Sequence, residues 1–189
     1  MPIKFENLKV DADSYLTLVT FQDAEEIFAL VDSSRNYLRE WLPWVDTNKT
    51  SADTREWIEF TQQEYSDRHG LHCCVRYKTK IMGIAAFHCL DWINQTAELA
   101  YWLAEQYQGH GLMTKSCRVL TNYAFKDFNL NRVEIKANNL KSCAVPERLG
   151  FCREGILRDA EWVNDRFVDN VVYSMLQRDW HQAQQLTTV

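Results

Sequence analysis

The first part of the chain passes from a strand pattern to helical spacing of its apolar positions. Tyr15–Val19 is rich in β-branched and aromatic residues and predicts a strand. Asp23 follows, and Glu26 lies three residues further on, as in a capping box, which predicts that a helix begins at Asp23. Two further helices are predicted, a short one in Arg35–Trp44 that its proline ends and an amphipathic one over Asp53–Arg68.

The rest of the chain predicts strands separated by two helices. The predicted strands are Leu71–Tyr77, Ile81–Cys89, Thr96–Leu103, Arg132–Ala137, Phe151–Leu157 and Phe167–Leu176. The predicted helices are Leu112–Phe128 and Ser142–Leu149, and Gly150 stops the second. Asp159–Trp162 is predicted to lie in a loop between the last two strands. We expect a single domain over residues 1–189, a flexible tail at 182–189, and one mixed sheet with helices on both faces.

Composition and charge narrow the possible function classes. The chain has 189 residues, 46% of them hydrophobic, and a net charge of −5, which speaks against nucleic-acid binding through a basic surface. No apolar run approaches the ~20 residues that span a bilayer. The six cysteines form no CxxC pair and show no metal-ligand spacing. We therefore expect a cytoplasmic protein with reduced thiols, no metal, and neither nucleic acid nor membrane as a partner.

A glycine-containing loop between a strand and a helix is the first candidate for chemistry. The strand ending at Leu103 leads through Gln106-Tyr-Gln-Gly109-His-Gly111 into a helix. Glycines let a ligand approach the backbone, and the N-terminus of the helix offers N–H groups and the positive end of its dipole to a pyrophosphate. The loop lacks the Lys-Ser/Thr of a P-loop and the third glycine of a dinucleotide fingerprint. An ordinary tight turn is the alternative interpretation.

Two motifs at the right separation resemble a known family. Gln106-x-x-Gly109-x-Gly111 resembles motif A of the GNAT acetyltransferases, and the run from Asn139-x-x-Ser142 to Gly150-Phe151 resembles a second block of that family. Over nearly its whole length the chain is similar to the RimJ/RimL branch, which acetylates the N-termini of ribosomal proteins. The resemblance implies the GNAT fold, which is an α/β fold with a mixed, mostly antiparallel sheet, and acetyl-coenzyme A (acetyl-CoA) as cosubstrate. The cofactor-binding residues that it implies are Leu103, Gln106, Gln108, Gly109, His110, Gly111, Leu112, Met113, Thr114, Asn139 and Ser142.

The candidate catalytic residues are a serine and a glutamate. Acetyl transfer from a thioester to an amine needs a base for the amine proton and a donor for the leaving thiolate. The resemblance implies Ser142 as the donor, with a helix N-cap as its purely structural alternative. It implies Glu161 as the base, with a solvated loop carboxylate as the alternative. Glu98 competes for that role, because a carboxylate on a central strand must face a cavity or a partner. The expected acceptor-binding residues are Trp41, Trp44, Glu98 and Tyr101.

Other reactive side chains are weaker candidates. His72 and His88 on strands are more often structural, and His110 in the loop is more often a solvated neighbour of the phosphates. Cys143 lies beside Ser142, but direct transfer to an amine needs no covalent nucleophile.

The resemblance implies an enzyme that acetylates a protein N-terminal α-amine, with a ribosomal protein as the partner, and it also implies a homodimer. Two alternatives stay open from the residues alone. The first is acetylation of a small amine such as a polyamine or an aminoglycoside. The second is a coenzyme A-binding sensor without catalysis.

Overall fold

The computed structural model describes residues 5–186, with side chains as far as Gln182. Its strands are β1 Leu8–Lys9, β2 Ser14–Leu18, β3 Leu71–Tyr77, β4 Lys80–Asp91, β5 Thr96–Leu103, β6 Arg132–Ala137, β7 Cys152–Val163 and β8 Arg166–Leu176. They form one sheet in the order β1-β2-β3-β4-β5-β6-β8-β7. Neighbouring strands are antiparallel, except that β5 and β6 run parallel. The predicted mixed, mostly antiparallel sheet is confirmed.

Helices cover both faces of this sheet, as predicted. They are α1 Ala24–Ser33, α2 Arg35–Leu38, α3 Ser51–Ser66, α4 Leu112–Lys126, α5 Leu140–Leu149 and α6 Gln177–Leu186. Helices α4, α5 and α6 contribute to an apolar cluster that includes Leu120 and Trp180, whereas α1 and α3 contribute to a second cluster that includes Ile58. Because side chains alternate along a strand, Leu99 of β5 belongs to the first cluster and Trp102 packs against the second.

Hydrogen bonding moves several boundaries in the first part of the chain. The capping box lies at Thr20, not at Asp23, because the Thr20 N–H donates to the Asp23 carboxylate at 2.8 Å and a 3-10 turn precedes α1. The helix predicted from Arg35 to Trp44 ends at Leu38. Pro43 does not end this helix but begins a short 3-10 helix. A proline is tolerated at the first helical position because the N–H group that it lacks would have no partner there.

The largest error concerns β7. The prediction of a loop at residues 159–162 is wrong, because β7 continues to Val163 and the turn to β8 falls at Asn164 and Asp165. This strand lies at the sheet edge, where most of its side chains are exposed and charged residues are mixed with apolar ones, so its second half lacks the apolar alternation that reveals a strand. Helix α6 was not predicted either. It contains residues 182–186 of the expected tail, and residues 187–189 lie outside the described residues.

The parallel pair at the middle of the sheet is short. Only Thr96–Glu98 of β5 pairs with β6, where its partner is Arg132–Glu134. Beyond this pair, β5 continues to Leu103 and β6 to Ala137. The two strands therefore separate in the middle of the sheet. Their unpaired ends face a gap that opens toward both layers of helices, and this gap positions the candidate site.

Candidate active site

A cleft of about 1280 Å³ opens where β5 and β6 separate. Its walls come from the end of β5, the start of α4, the end of β6, the start of α5, and the β7–β8 hairpin. Leu38 and Trp41, from the layer that contains α1 and α3, close it on the other side. The cleft therefore passes through the sheet, so that a group entering beside α4 and α5 can meet one that enters beside Trp41.

The glycine loop forms one end of this cleft. Gly109 and Gly111 have φ angles of 82° and 73°, which a residue with a side chain rarely adopts, and Gly111 is the N-cap of α4. A Cβ atom at either glycine would meet no atom within 4 Å, so the backbone here faces open space. Leu103, Gln108, Leu112, Met113 and Thr114, which were predicted to bind the cofactor, line the same cleft. The loop can therefore present backbone N–H groups and the positive end of the α4 dipole to an anion.

Two residues predicted in the loop point elsewhere. Gln106 does not line the cleft, and its Oε1 accepts a hydrogen bond of 3.2 Å from the hydroxyl of Ser34 at the end of α1. His110 is exposed and is not part of the cleft wall. Gln106 therefore joins the loop to the opposite helical layer.

Four cationic residues of α4 and α5 that line the cleft were not predicted from the sequence. Lys115 and Arg118 project from α4, and Lys141 and Arg148 from α5. The spacing of Lys115 and Arg118, three residues apart just after the glycine loop, was the available signal. Lys115 is paired with Asp11 at 2.9 Å, and this hydrogen bond lowers the pKa of Asp11 to about 2. Arg118, Lys141 and Arg148 therefore bring positive charge to the cleft wall.

Ser142 lies on the cleft wall in the first turn of α5, as predicted, but it is not the helix cap. The cap is Asn139, whose side-chain oxygen accepts a hydrogen bond of 2.9 Å from the Ser142 backbone N–H. The Ser142 carbonyl accepts a hydrogen bond of 2.8 Å from the Tyr101 hydroxyl. The main chain of Ser142 is thus fixed on both sides where the residue lines the cleft.

Glu161 reaches the same cleft from β7, with Ala160 and Asn170 beside it on the wall. Its Oε2 accepts hydrogen bonds from the side-chain amides of Asn138 at 3.1 Å and Asn170 at 3.4 Å. The carboxylate is half-buried and hydrogen-bonded, so it does not lie in a solvated loop. The structure therefore brings the two candidate catalytic residues, Glu161 and Ser142, to one cleft.

Glu98 also lines the cleft but is engaged in an ion pair. Its Oε2 lies 2.7 Å from the Lys136 ammonium group, which also contacts Glu134 at 3.3 Å. The hydrogen bond that Lys136 donates to Glu98 is the main cause that raises the pKa of Lys136. Glu98 thus has the partner that a carboxylate on a central strand requires.

A second cavity of about 550 Å³ adjoins the cleft under α1 and α3 and shares Tyr101 and Trp102 with it. The predicted acceptor-binding tryptophans divide between the two spaces, since Trp41 lines the cleft and Trp44 lines the cavity. The Trp44 ring lies 6.0 Å from that of Trp102. Trp57 also lines the cavity, so that aromatic rings form part of its wall.

His72 and His88 face this cavity, with ring centroids 4.8 Å apart. Burial, reinforced by the proximity of His88, lowers the pKa of His72 to about 3. Burial lowers the pKa of His88 too, although the nearby carboxylates of Glu98 and Glu64 act in the opposite direction and raise it. Both rings are thus kept neutral, which favours their interpretation as structural residues.

Cysteine and metal chemistry find little support in the described part of the chain. Cys143 is buried, and its thiol contacts the Ala137 carbonyl at 3.8 Å. Among the residues that the structure describes, no three or more His, Cys, Asp or Glu side chains are grouped so that they could hold a metal ion. Within those residues, no helix combines the length and the apolar character needed to span a membrane.

Comparison with known proteins decides the family. The model of the acetyltransferase (GNAT) domain matches residues 15–152, which contain the glycine loop and Ser142. The chain belongs to the GNAT acetyltransferase family. It is an acetyl-CoA-dependent N-acetyltransferase of the RimL/RimJ-like group, as the sequence resemblance implied.

The matches with similar proteins cover most of this GNAT acetyltransferase. YdaF of Bacillus subtilis (strain 168), whose name groups it with the ribosomal N-acetyltransferases, is 40% identical over 91% of this chain and 96% of its own length. The ribosomal-protein-serine acetyltransferase of Escherichia coli (strain K12) is 26% identical over 90% of this chain and 97% of its own length. The structure of the microcin C7 self-immunity acetyltransferase MccE, in complex with acetyl-CoA and AMP, is 30% identical and has a TM-score of 0.85 over 89% of this chain and 94% of that one.

Proposed function

We propose that this acetyltransferase transfers the acetyl group of acetyl-CoA to the α-amine of a protein N-terminus, and that the acceptor is a ribosomal protein. The observation that carries the proposal is the presence of Glu161 and Ser142 on one cleft that passes through the sheet beside the glycine loop. A base for the amine and a donor for the thiolate are the two groups that direct transfer needs. The kind of acceptor is supported by the names of the Bacillus and Escherichia coli relatives.

The cleft residues fit acetyl-CoA. Gly109 and Gly111 leave the backbone open at the N-terminus of α4, where the pyrophosphate would bind. Lys115, Arg118 and Arg148 would contribute positive charge to the phosphates. The wall formed by Leu103, Leu112 and Val145 would contact the apolar parts of the pantetheine arm. Asn139 acts indirectly, as the cap that places Ser142.

In the proposed reaction, the amine nitrogen attacks the carbonyl carbon of the acetyl thioester and the carbon–sulfur bond breaks. Glu161 accepts the proton that the amine loses, directly or through a water molecule. The Ser142 hydroxyl donates to the leaving thiolate. An α-amine titrates near ~8 and a lysine amine near ~10.4, so a carboxylate deprotonates an N-terminal amine at a cost that is lower by roughly 3 kcal/mol.

A second candidate function is acetylation of a small amine that carries a flat group. It is favoured by the cavity beside the cleft, where Trp44, Trp57 and Trp102 form an aromatic wall and, among the described residues, no lysine or arginine is part of the lining. Flat rings and organic cations bind such walls by stacking and cation–π attraction. MccE forms a complex with both acetyl-CoA and AMP, so a relative of this fold accommodates a flat base.

We also propose that the protein is a homodimer whose interface includes the β7–β8 hairpin. Ile156, Trp162 and Phe167 on this hairpin are 49%, 52% and 60% exposed, which is unusual for large apolar residues on one element. Charged residues of both signs also lie along β7, at the free edge of the sheet, so this edge can pair with a second copy of itself. Sedimentation analysis of the wild type and of Phe167→Glu tests this, and a wild type that sediments as a monomer contradicts it.

A thiol-release assay with acetyl-CoA tests the function. The panel contains peptides with the N-termini of ribosomal proteins, the same peptides with a blocked α-amine, polyamines, aminoglycosides and amino-nucleosides. We expect thiol release only with free peptide N-termini, and mass spectrometry should place one acetyl group on the α-amine. Turnover of the small amines alone would favour the second candidate, and cofactor binding without any thiol release would indicate a non-catalytic sensor.

A further inference from the structure

Two side-chain amides hold the carboxylate of Glu161. Asn138, which directly follows β6, donates to Oε2 at 3.1 Å, and Asn170 of β8 donates to the same oxygen at 3.4 Å. Hydrogen bonds from neutral donors stabilise an ionised carboxylate without neutralising it. Within the part of the chain that the structure describes, both bonds end on Oε2, so Oε1 stays available to an incoming amine or water.

A bulge in β7 gives Glu161 this position. Three residues separate Leu157 from Glu161 on β7, whereas one residue separates their partners Asn170 and Val168 on β8. Asp159 within the bulge has a φ angle of 49°, and its N–H donates to the Asp169 carboxylate at 2.9 Å. Bulges redirect side chains on one strand relative to the next. The result is that Glu161 and Asn170, which are not register partners, meet on the cleft wall.

The amides also connect Glu161 to Ser142. The Asn138 side-chain oxygen accepts a hydrogen bond of 3.2 Å from the Asn139 amide, and the Asn139 oxygen accepts one of 2.9 Å from the Ser142 N–H. A continuous row of side-chain hydrogen bonds thus runs from the proposed base to the first turn of α5. Adjacent asparagines at the end of one strand therefore serve both proposed catalytic residues.

Charged residues on the strands beside Glu161 are bound to other groups and do not take the place of the two amide donors. On β6, Lys136 is paired with Glu98 of β5 and with Glu134. On β8, Asp169 is bound to the main chain of the bulge. Among the described residues, no lysine or arginine forms an ion pair with Glu161, so its bonds to protein groups come from uncharged amides.

We propose that Asn138 and Asn170 are positioning residues for acetyl transfer, which hold the Glu161 carboxylate through Oε2 and leave Oε1 for the acceptor. The inference rests on the proposed role of Glu161 as the base. A positive partner would make a carboxylate a poor proton acceptor, whereas an unsupported carboxylate in a half-buried wall would take up a proton too readily. Amide donors avoid both effects.

The test compares Asn138→Ala, Asn170→Ala and Asn138→Asp in the full chain. Loss of a donor destabilises the ionised carboxylate, so the low-pH limb of kcat should move to higher pH, by about one unit for Asn138→Ala. The shift should be smaller for Asn170→Ala, whose bond is longer. Asn138→Asp should give the largest shift, because a second carboxylate repels the first. Titration of ¹³C-carboxyl-labelled glutamate by NMR should show the same order of shifts without turnover.

Asn94→Ala is the matched control, since the Asn94 amide donates to the Asp91 carboxylate at 2.6 Å in an exposed turn away from the cleft. It should leave both the kcat profile and the affinity for acetyl-CoA unchanged. In a Glu161→Gln background, Asn138→Ala should have no further effect on the rate. If Glu161→Gln abolishes turnover while the asparagine variants keep the wild-type pH profile, the positioning role is refuted and the base is retained. If Glu161→Gln keeps the wild-type rate, the proposed mechanism itself fails.

Discussion

The hydroxyl of Tyr101 donates a hydrogen bond of 2.8 Å to the backbone carbonyl of Ser142, across 41 positions of the sequence. In a regular α-helix this carbonyl would accept from the N–H four residues later. That residue is Pro146, which has no N–H. Tyr101 therefore supplies the donor that the proline lacks and fixes the first turn of α5 against β5. Burial raises the pKa of Tyr101 well above its ordinary value, so the hydroxyl stays a donor at any pH suitable for assay.

The first prediction follows from this relationship. Tyr101→Phe should lower the free energy of unfolding by about 1–2 kcal/mol, because a partly buried carbonyl loses its partner. In a Pro146→Ala background the alanine N–H can replace the hydroxyl, so the same substitution should be nearly neutral. Urea denaturation of the wild type, both single variants and the double variant measures the coupling. Equal losses in both backgrounds would show that Tyr101 stabilises the fold by another route.

The second prediction concerns the hydroxyl of Ser142. Ser142→Ala keeps the backbone bonds to Asn139 and Tyr101, so it removes the hydroxyl alone. The kcat should fall by about 10²-fold, as expected for a lost proton donor, while the Kd for acetyl-CoA changes little. Ser33→Ala, at the end of α1, is the control and should leave kcat unchanged. A normal kcat in Ser142→Ala would show that Ser142 has a structural role only.

The third prediction separates the two carboxylates of the cleft. Glu161→Gln keeps the shape of the side chain but removes the proton acceptor, so the rate should fall by about 10²–10⁴-fold. Glu98→Gln breaks the ion pair with Lys136 and should reduce the rate less. The comparison uses kcat and its pH profile at saturating acetyl-CoA. Loss of turnover in Glu98→Gln with an intact profile in Glu161→Gln would reverse the assignment.

The fourth prediction uses two glycines with the same backbone strain. Gly111 and Gly150 have φ angles of 73° and 78°, and a Cβ atom at either would meet nothing within 4 Å. Replacement by alanine should therefore destabilise the fold at both positions by about 1–2 kcal/mol. Only Gly111→Ala should also weaken acetyl-CoA binding, because Gly111 lines the cleft and Gly150 does not. Calorimetric titration measures the Kd for acetyl-CoA. Equal Kd values in the two variants would contradict the assignment of the glycine loop as the acetyl-CoA site.

The fifth prediction concerns acid stability. His72 has a pKa of about 3 in the folded protein, mainly because of burial, against ~6.5 in an unfolded chain. The unfolded state therefore binds the proton first, and stability falls as the pH drops from ~6.5 toward 3, by about 2 kcal/mol at pH 5. His72→Leu should flatten this dependence in urea titrations at pH 7 and pH 5. The exposed His181→Leu is the control, and a slope that His72→Leu leaves unchanged would refute the assignment.

Much of the fold could be predicted because its signals are local. The predicted bounds of β3, β5 and β6 match the structure, since each alternates or concentrates apolar residues between turn residues. The glycine loop and the end of α5 at Gly150 could also be predicted, because a left-handed backbone position favours glycine. The second half of the edge strand β7, after Leu157, could not be predicted, since its mixture of charged and apolar residues resembles a loop.

The candidate residues of the site, in particular the glycine loop, Ser142 and Glu161, could be named from the sequence, and the resemblance of two motifs to the GNAT acetyltransferases indicated the family. What these residues touch became visible only in the folded chain. Glu161, which lies beside the bulge in β7, meets Asn138 across 23 positions of the sequence. Tyr101 completes a helix that Pro146 interrupts, and Glu98 is paired with Lys136. Such contacts join strands that are distant in the chain, and the packing of the whole sheet, which no local pattern encodes, brings them together.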